Sequence, residues 1–290
     1  MSLASVLTQV GAVVVALHFL ALAAVVGRDG LADAPPTLRA NLRAVAPTLA
    51  ALVVVLAVNG VVRDVGVELS WLIGINVTGY IHAVEGQLVA VLQSLGTPAV
   101  TAYFSGVYVF GYAFLLTFPV VAYLVCPDSR PLRTLLVAYA VNYGLGLVCY
   151  VLLISYGPRN FMPELVDSLL YTNWPQSQLL TGHVNRNTNV FPSLHTSLSV
   201  TVALVGYRYR EVYPRWLPVA VGLAASVAVS TMYLGIHWAT DVVAGAALAA
   251  VAVAVASRRV EDVDGSRRSA LGDTDTTDDW TETVSGWFRR

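Results

Sequence analysis

Residues 189–199 read Asn-Val-Phe-Pro-Ser-Leu-His-Thr-Ser-Leu-Ser, and they mark the point where a loop turns into an apolar helix. A helix start of this kind is built to hold an anion. Its first-turn N–H groups have no partner inside the helix, and the positive end of the helix dipole points out through them. Pro192 suits the first helical position, Ser193 is able to cap the helix or donate to a ligand, and Leu194 adds its N–H to the cradle. His195 follows in the same turn, so a phosphate held there would have an imidazole beside it. Further along, His237-Trp238-Ala239-Thr240-Asp241 places a histidine and an aspartate at i and i+4. On a helix they share a face, and the carboxylate can orient and charge-stabilise the ring. Two histidines, one with a carboxylate partner, outline a nucleophile and an acid.

These residues resemble the type 2 phosphatidic acid phosphatase superfamily of membrane lipid phosphatases and phosphotransferases. That family carries Pro-Ser-Gly-His, then Ser-Arg, five residues, His, three residues and Asp. The chain has Pro192-Ser193-Leu194-His195, then Ser230-Thr231, five residues, His237, three residues and Asp241. The resemblance covers residues from about 100 to 257, and Leu194 in place of glycine looks like the inositolphosphotransferase branch that contains inositol phosphorylceramide synthase. It implies that His237 is the nucleophile, forming a phosphohistidine intermediate while Asp241 holds its ring. His195 is then the general acid, and neither metal nor other cofactor is needed. The family's first motif is a lysine, six residues and Arg-Pro. Its nearest match here is Pro158-Arg159-Asn160, so Arg159 is the expected bidentate grip on the phosphate. The arginine of the family's third motif is replaced by Thr231, beside Ser230 at the edge of the same phosphate site, and Arg186 in the loop before the helix is the candidate replacement cation.

Composition sets the class independently. Of the 290 residues, 56% are hydrophobic and only 12% charged, which is far too apolar for a soluble domain and points to a polytopic membrane protein. The net charge of −1 argues against nucleic acid, which requires a basic face. All 17 basic residues are arginine. Cys126 and Cys149 have no CxxC spacing or metal pattern and read as inert buried thiols.

Apolar spans at 3–27, 44–62, 101–125, 134–155, 193–207, 215–234 and 238–257 predict an all-α membrane bundle of six or seven crossings. The first has no basic leader and no cleavage site ahead of a soluble domain, so it reads as a retained helix. Residues 64–100, with Trp71, Tyr80 and His82, predict one or two interfacial helices. Residues 1–257 form the membrane domain, with a catalytic core at 101–257. Residues 258–290, holding eight of the 18 acidic residues and six arginines, predict a disordered tail. Arginines concentrate in 28–43, 126–133 and 208–215 and at Arg258-Arg259. With seven crossings, that bias puts the amino terminus and every candidate catalytic residue outside and the tail in the cytoplasm of a cell-membrane protein.

The fifth span is short, fifteen residues or about 22 Å against a hydrocarbon core of about 30 Å, so the helix start at Ser193 lies below the outer interface. A lipid head group can settle there with its tails still in the bilayer. Asp241 is the acidic residue inside an apolar span, which by itself demands a partner. His18 and His82 lack such neighbours and read as structural, and His183 as a rim residue at best. The substrate expected is a lipid phosphate or pyrophosphate, with water or an alcohol as acceptor. Two other classes fit parts of the pattern: a metal-dependent hydrolase with His195, His237 and Asp241 as ligands, and a non-catalytic transporter or scaffold, favoured by the missing lysine and by Thr231.

Overall fold

The computed structural model describes residues 2–32, 34–181 and 190–270. Apolar runs without interior turn signals become helices, because in lipid the backbone must satisfy its own hydrogen bonds. The chain runs through α1 (Leu3–Ala21), a π-helical turn at Leu22–Val26, α2 (Gly27–Ala32) and α3 (Ala34–Ile73). A two-residue strand β1 (Ile75–Asn76) leads into α4 (Thr78–Glu85) and α5 (Leu88–Ser94). Next come α6 (Pro98–Gly106), a second π turn at Val107–Gly111, α7 (Tyr112–Leu124) and α8 (Arg130–Leu152). Strand β2 (Leu153–Ile154) and the short α9 (Pro158–Phe161), α10 (Leu169–Asn173) and α11 (Ser177–Thr181) precede α12 (Leu194–Arg208), α13 (Trp216–Tyr233) and α14 (Ala239–Ala270). The fold is an all-α polytopic bundle, as expected.

Six helical segments of the described chain are long and apolar enough to cross a bilayer. α12, with 15 residues, falls short of that length. It is nonetheless packed between α8, α13 and α14, its interior face formed by Leu198, Val202 and Val205, each at most 1% exposed. Beneath the helix start runs a buried polar seam. Asn142 of α8 donates to Ala138 O (2.8 Å) and Thr201 Oγ1 (2.9 Å) and accepts from Ser197 Oγ. Such bonds satisfy groups that lipid cannot.

Contacts sort the connections into two ends. At one end Asn41 donates to Leu124 O and Cys126 O, Tyr213 to Ala122 O, and Arg215 to Ala24 O. Arg133 meets Asp264 there at 2.6 Å, and Arg208 meets Glu261. This is the arginine-rich end. Burial there pushes the Cys126 thiol up, in keeping with an inert residue. At the other end β1 and β2 pair in parallel, Gln93 donates to Asp167 O and Tyr233 O, and the Trp238 indole donates to Tyr156 O. The site described below lies at this second end.

Three expected boundaries move. The second span lies inside a helix that begins at Ala34, so most of the expected loop 28–43 is helical. α3 also runs on to Ile73, through residues 63–68, where charges end the hydropathy signal without breaking the backbone. Beyond it, α4 and α5 carry exposed Tyr80, Val84, Leu88 and Val91, the side chains expected of interfacial helices. Finally, α14 continues from Arg258 to Ala270, where the sequence predicts the start of a disordered tail. The Arg133–Asp264 and Arg208–Glu261 pairs hold those extra turns; residues 271–290 lie outside the described region.

Helix–helix approach at the site end depends on Gly245. A Cβ there would stand 2.4 Å from Ser193 O, the carbonyl at the start of α12. Gly245→Ala is expected to lower stability by about 1–3 kcal/mol, the cost of forcing an extra methyl into a packed contact. Thermal unfolding in detergent would show it as a lower midpoint, with no comparable drop for an alanine at the unhindered Gly222.

Candidate active site

Ser193 is the N-cap of α12, with Oγ accepting from Thr196 N (3.3 Å) and Thr196 Oγ1 (3.1 Å). Pro192 therefore precedes the cap instead of occupying the first helical position, because Ser193 has the extended backbone a cap needs. Leu194 begins the helix and turns its side chain onto α8, where a Cβ at Gly146 would meet Leu194 Cδ2 at 2.7 Å. The leucine at the position of the motif glycine is thus accommodated by a glycine across the interface.

His195 sits in the first turn of α12 between Tyr108 and Tyr112, with ring centroids 4.8 and 4.7 Å away. Both tyrosines come from the region of the π turn between α6 and α7, whose extra residue per turn re-aims side chains locally. The sequence contains both, but as aromatics in an apolar span they read only as packing.

His237 does not lie on a helix. It belongs to the turn between α13 and α14, where Thr231 O accepts the N–H groups of both Ile236 and His237 at 3.0 Å. Gly235, at φ +71°, makes the reversal, in a conformation a side chain would strain. Asp241, three residues after the Trp238 that precedes α14, reaches back across the helix start. Its Oδ2 accepts from Trp238 N (2.9 Å) and from His237 Nδ1 (3.3 Å). The i, i+4 pair therefore forms through a cap-like loop and not along one helix face. Asp241 O also accepts from Ser193 N at 3.0 Å, tying the two helix starts together. Asp241 is wholly buried and His237 4% exposed. The His195 and His237 rings stand edge to face with centroids 5.9 Å apart.

Arg159 is anchored to the same turn by its backbone N–H, which donates to Gly235 O at 3.1 Å. Its guanidinium stacks on Tyr171, 4.8 Å from the ring centroid, and Nη2 donates to Tyr171 Oη at 3.3 Å. Nη1 is buried with no hydrogen-bond partner among the described residues. A guanidinium with a spare buried donor is prepared to receive an anion oxygen.

The other expected phosphate ligands are differently placed. Ser230 Oγ donates to Val227 O (2.7 Å) and Thr231 Oγ1 to Ala228 O (2.8 Å). Both hydroxyls are turned into their own helix and buried. Arg186 and His183 lie outside the described residues. His18 bonds to Val14 O and packs edge-on against Phe114 and Phe118, a structural role.

Glu85, which the sequence reading passed over, and His82, which it read as structural, complete the surroundings. Glu85, at the end of α4, accepts from Ala239 N (2.9 Å) and Thr240 N, the first two amides of α14. His82, one turn earlier, places its ring 6.0 Å from that of Trp238 and 5.2 Å from that of Phe161. Outside this aromatic wall an open groove of about 690 Å³ is lined by Asn76, Thr78, Tyr80, Tyr156, Asn160 and Phe161, among others. Neither site histidine lines it.

A family model described as the PAP2 superfamily matches residues 82–255. No curated protein and no solved structure matches the chain.

Proposed function

Because the chain belongs to the PAP2 superfamily and so has a phosphatase-type function, we propose that it is a membrane enzyme acting on a lipid phosphate or pyrophosphate through His237, without metal. The observation that carries this reading is the meeting of the His195 and His237 rings at 5.9 Å, with Asp241 on the Nδ1 side of His237. With Nδ1–H donated to Asp241, Nε2 keeps its lone pair free to attack phosphorus. As the N–P bond forms, the bond from phosphorus to the leaving oxygen breaks, and His195 delivers a proton to that oxygen. In the second half, water or an alcohol attacks phosphorus, loses its proton to His195 and releases Nε2. Water gives inorganic phosphate; an alcohol gives a new phosphoester, the outcome to which Leu194 leans. The α12 amides and Arg159 Nη1 stabilise charge on the equatorial oxygens throughout.

The site's position supports a lipid substrate. It lies at the start of the short helix α12, at the end of the bundle opposite the arginine-rich end, and the arginine bias supports an orientation with the site toward the outer leaflet and the α14 end in the cytoplasm. The metal alternative finds less support. Among the described residues no three His, Cys, Asp or Glu side chains converge on a common point, and Asp241 Oδ2 is already engaged by two N–H donors.

Phosphate release from a panel of lipid phosphates and pyrophosphates, in detergent and with EDTA present, tests the proposal. Turnover that resists EDTA and is blocked by vanadate supports it; activity restored only by added divalent metal would replace it with the metal-dependent reading, and inactivity on the whole panel with the non-catalytic one. Arg159→Lys is expected to reduce kcat/KM on the best substrate by about 10²–10³-fold, since an ammonium reproduces neither the fork nor the stacking on Tyr171. Steady-state kinetics at saturating and sub-saturating substrate would measure it.

A further inference from the structure

Two helices begin at this site, α12 and α14, and each would offer unpaired amides to an anion. They differ in what already holds those amides. At the start of α14, Trp238 N is taken by Asp241 Oδ2, while Ala239 N and Thr240 N are taken by the two oxygens of Glu85. Glu85 comes from α4, more than 150 residues earlier in the chain. α4 faces two ways: Tyr80 and Val84 are 75% and 84% exposed, while Ile81 is buried and His82 lies against Trp238. The helix thus grips the residues that follow His237 through the Glu85 carboxylate and the His82 ring.

We propose that Glu85 is a positioning residue for phosphoryl transfer: its carboxylate clamps the first turn of α14 and thereby fixes the His237–Asp241 pair relative to His195. The inference rests on the proposed reaction and extends it to a residue outside the family motifs. The physical basis is that His237 sits in a turn whose two ends are held by different means. Its front is held by Thr231 O within the same hairpin of helices. Its back is held by Asp241 and Glu85, and Asp241 is itself on the turn that Glu85 caps. Without Glu85 the two amides of α14 lose their partners and compete for the Asp241 oxygens that orient the imidazole. They also become a second seat for the substrate's phosphate, in competition with the start of α12.

The test compares Glu85→Ala, Glu85→Gln and Glu85→Asp with wild type in detergent, on whichever lipid phosphate wild type turns over. For Glu85→Ala, kcat is expected to fall on the order of 10²-fold, the effect of about an ångström of misplacement, while KM stays within about threefold. Glu85→Gln, which keeps an acceptor for one amide, recovers part of kcat; Glu85→Asp, with its carboxylate drawn back by a methylene, lies between Ala and wild type. Unchanged kcat in a folded Glu85→Ala protein overturns the proposal, as does a loss confined to KM. A uniform loss in all three variants that follows the fraction of unfolded protein would mean a purely structural cap, and would overturn it too. Wild type inactive on every lipid phosphate would instead remove the reaction itself, so the two failures are distinguishable.

Discussion

Replacing His237 by alanine is expected to lower turnover by about 10⁴–10⁶-fold, to the level left by binding alone, as removal of a nucleophile does elsewhere. The loss should be chemical and not structural. The turn keeps its two bonds to Thr231 O, which use backbone N–H groups, and Trp238 keeps its indole bond to Tyr156 O. Asp241 retains the Trp238 amide as a partner. His195 cannot substitute, since its ring is enclosed by Tyr108 and Tyr112 and has no carboxylate at hydrogen-bonding distance among the described residues. Phosphate release by the purified variant, set beside its unfolding midpoint, measures both halves. Activity within tenfold of wild type would remove His237 as the nucleophile.

Asp241→Asn is expected to cost about 10³–10⁴-fold in kcat with the protein at least as stable as wild type. The two effects have opposite signs for one reason. A buried carboxylate with Oδ1 unpaired among the described residues is expensive to desolvate, so a neutral isostere relieves the bundle. The same neutralisation removes the charge that balances the imidazole as it gains positive character at phosphorus. The amide also has to orient its oxygen toward Trp238 N–H, and as a neutral acceptor that oxygen holds the Nδ1–H tautomer of His237 less firmly than the carboxylate does. Kinetics and thermal unfolding on the same sample give the result. A less stable protein with undiminished kcat per folded molecule would make Asp241 structural only.

Much of the site was legible because its signals are local. Ser193 announces a cap, the fifteen apolar residues after it set the length of α12, and the spacing from His237 to Asp241 is a single turn. Hydropathy located the spans for the same reason. The rest depends on partners distant in sequence. Glu85 is an acidic residue in an amphipathic stretch until α4 is folded against α14. Tyr108 and Tyr112 are two aromatics among many until a π turn brings them to His195. The extra turns of α14 need Arg133 and Arg208 from other helices. The hydroxyls of Ser230 and Thr231 have carbonyls three residues back within reach, a local bond that the motif spacing does not reveal.

In the proposed reaction the phosphoryl group rests midway on the imidazole of His237. Rapid quenching of the enzyme with a turned-over lipid phosphate, under alkaline conditions that spare phosphohistidine, followed by mass mapping of its peptides, reads that intermediate out. One added phosphoryl group is expected on the peptide containing His237 in wild type and none in His237→Ala. A label on His195, a label that survives in the His237→Ala protein, or full turnover with no phosphorylated enzyme at any time would contradict it.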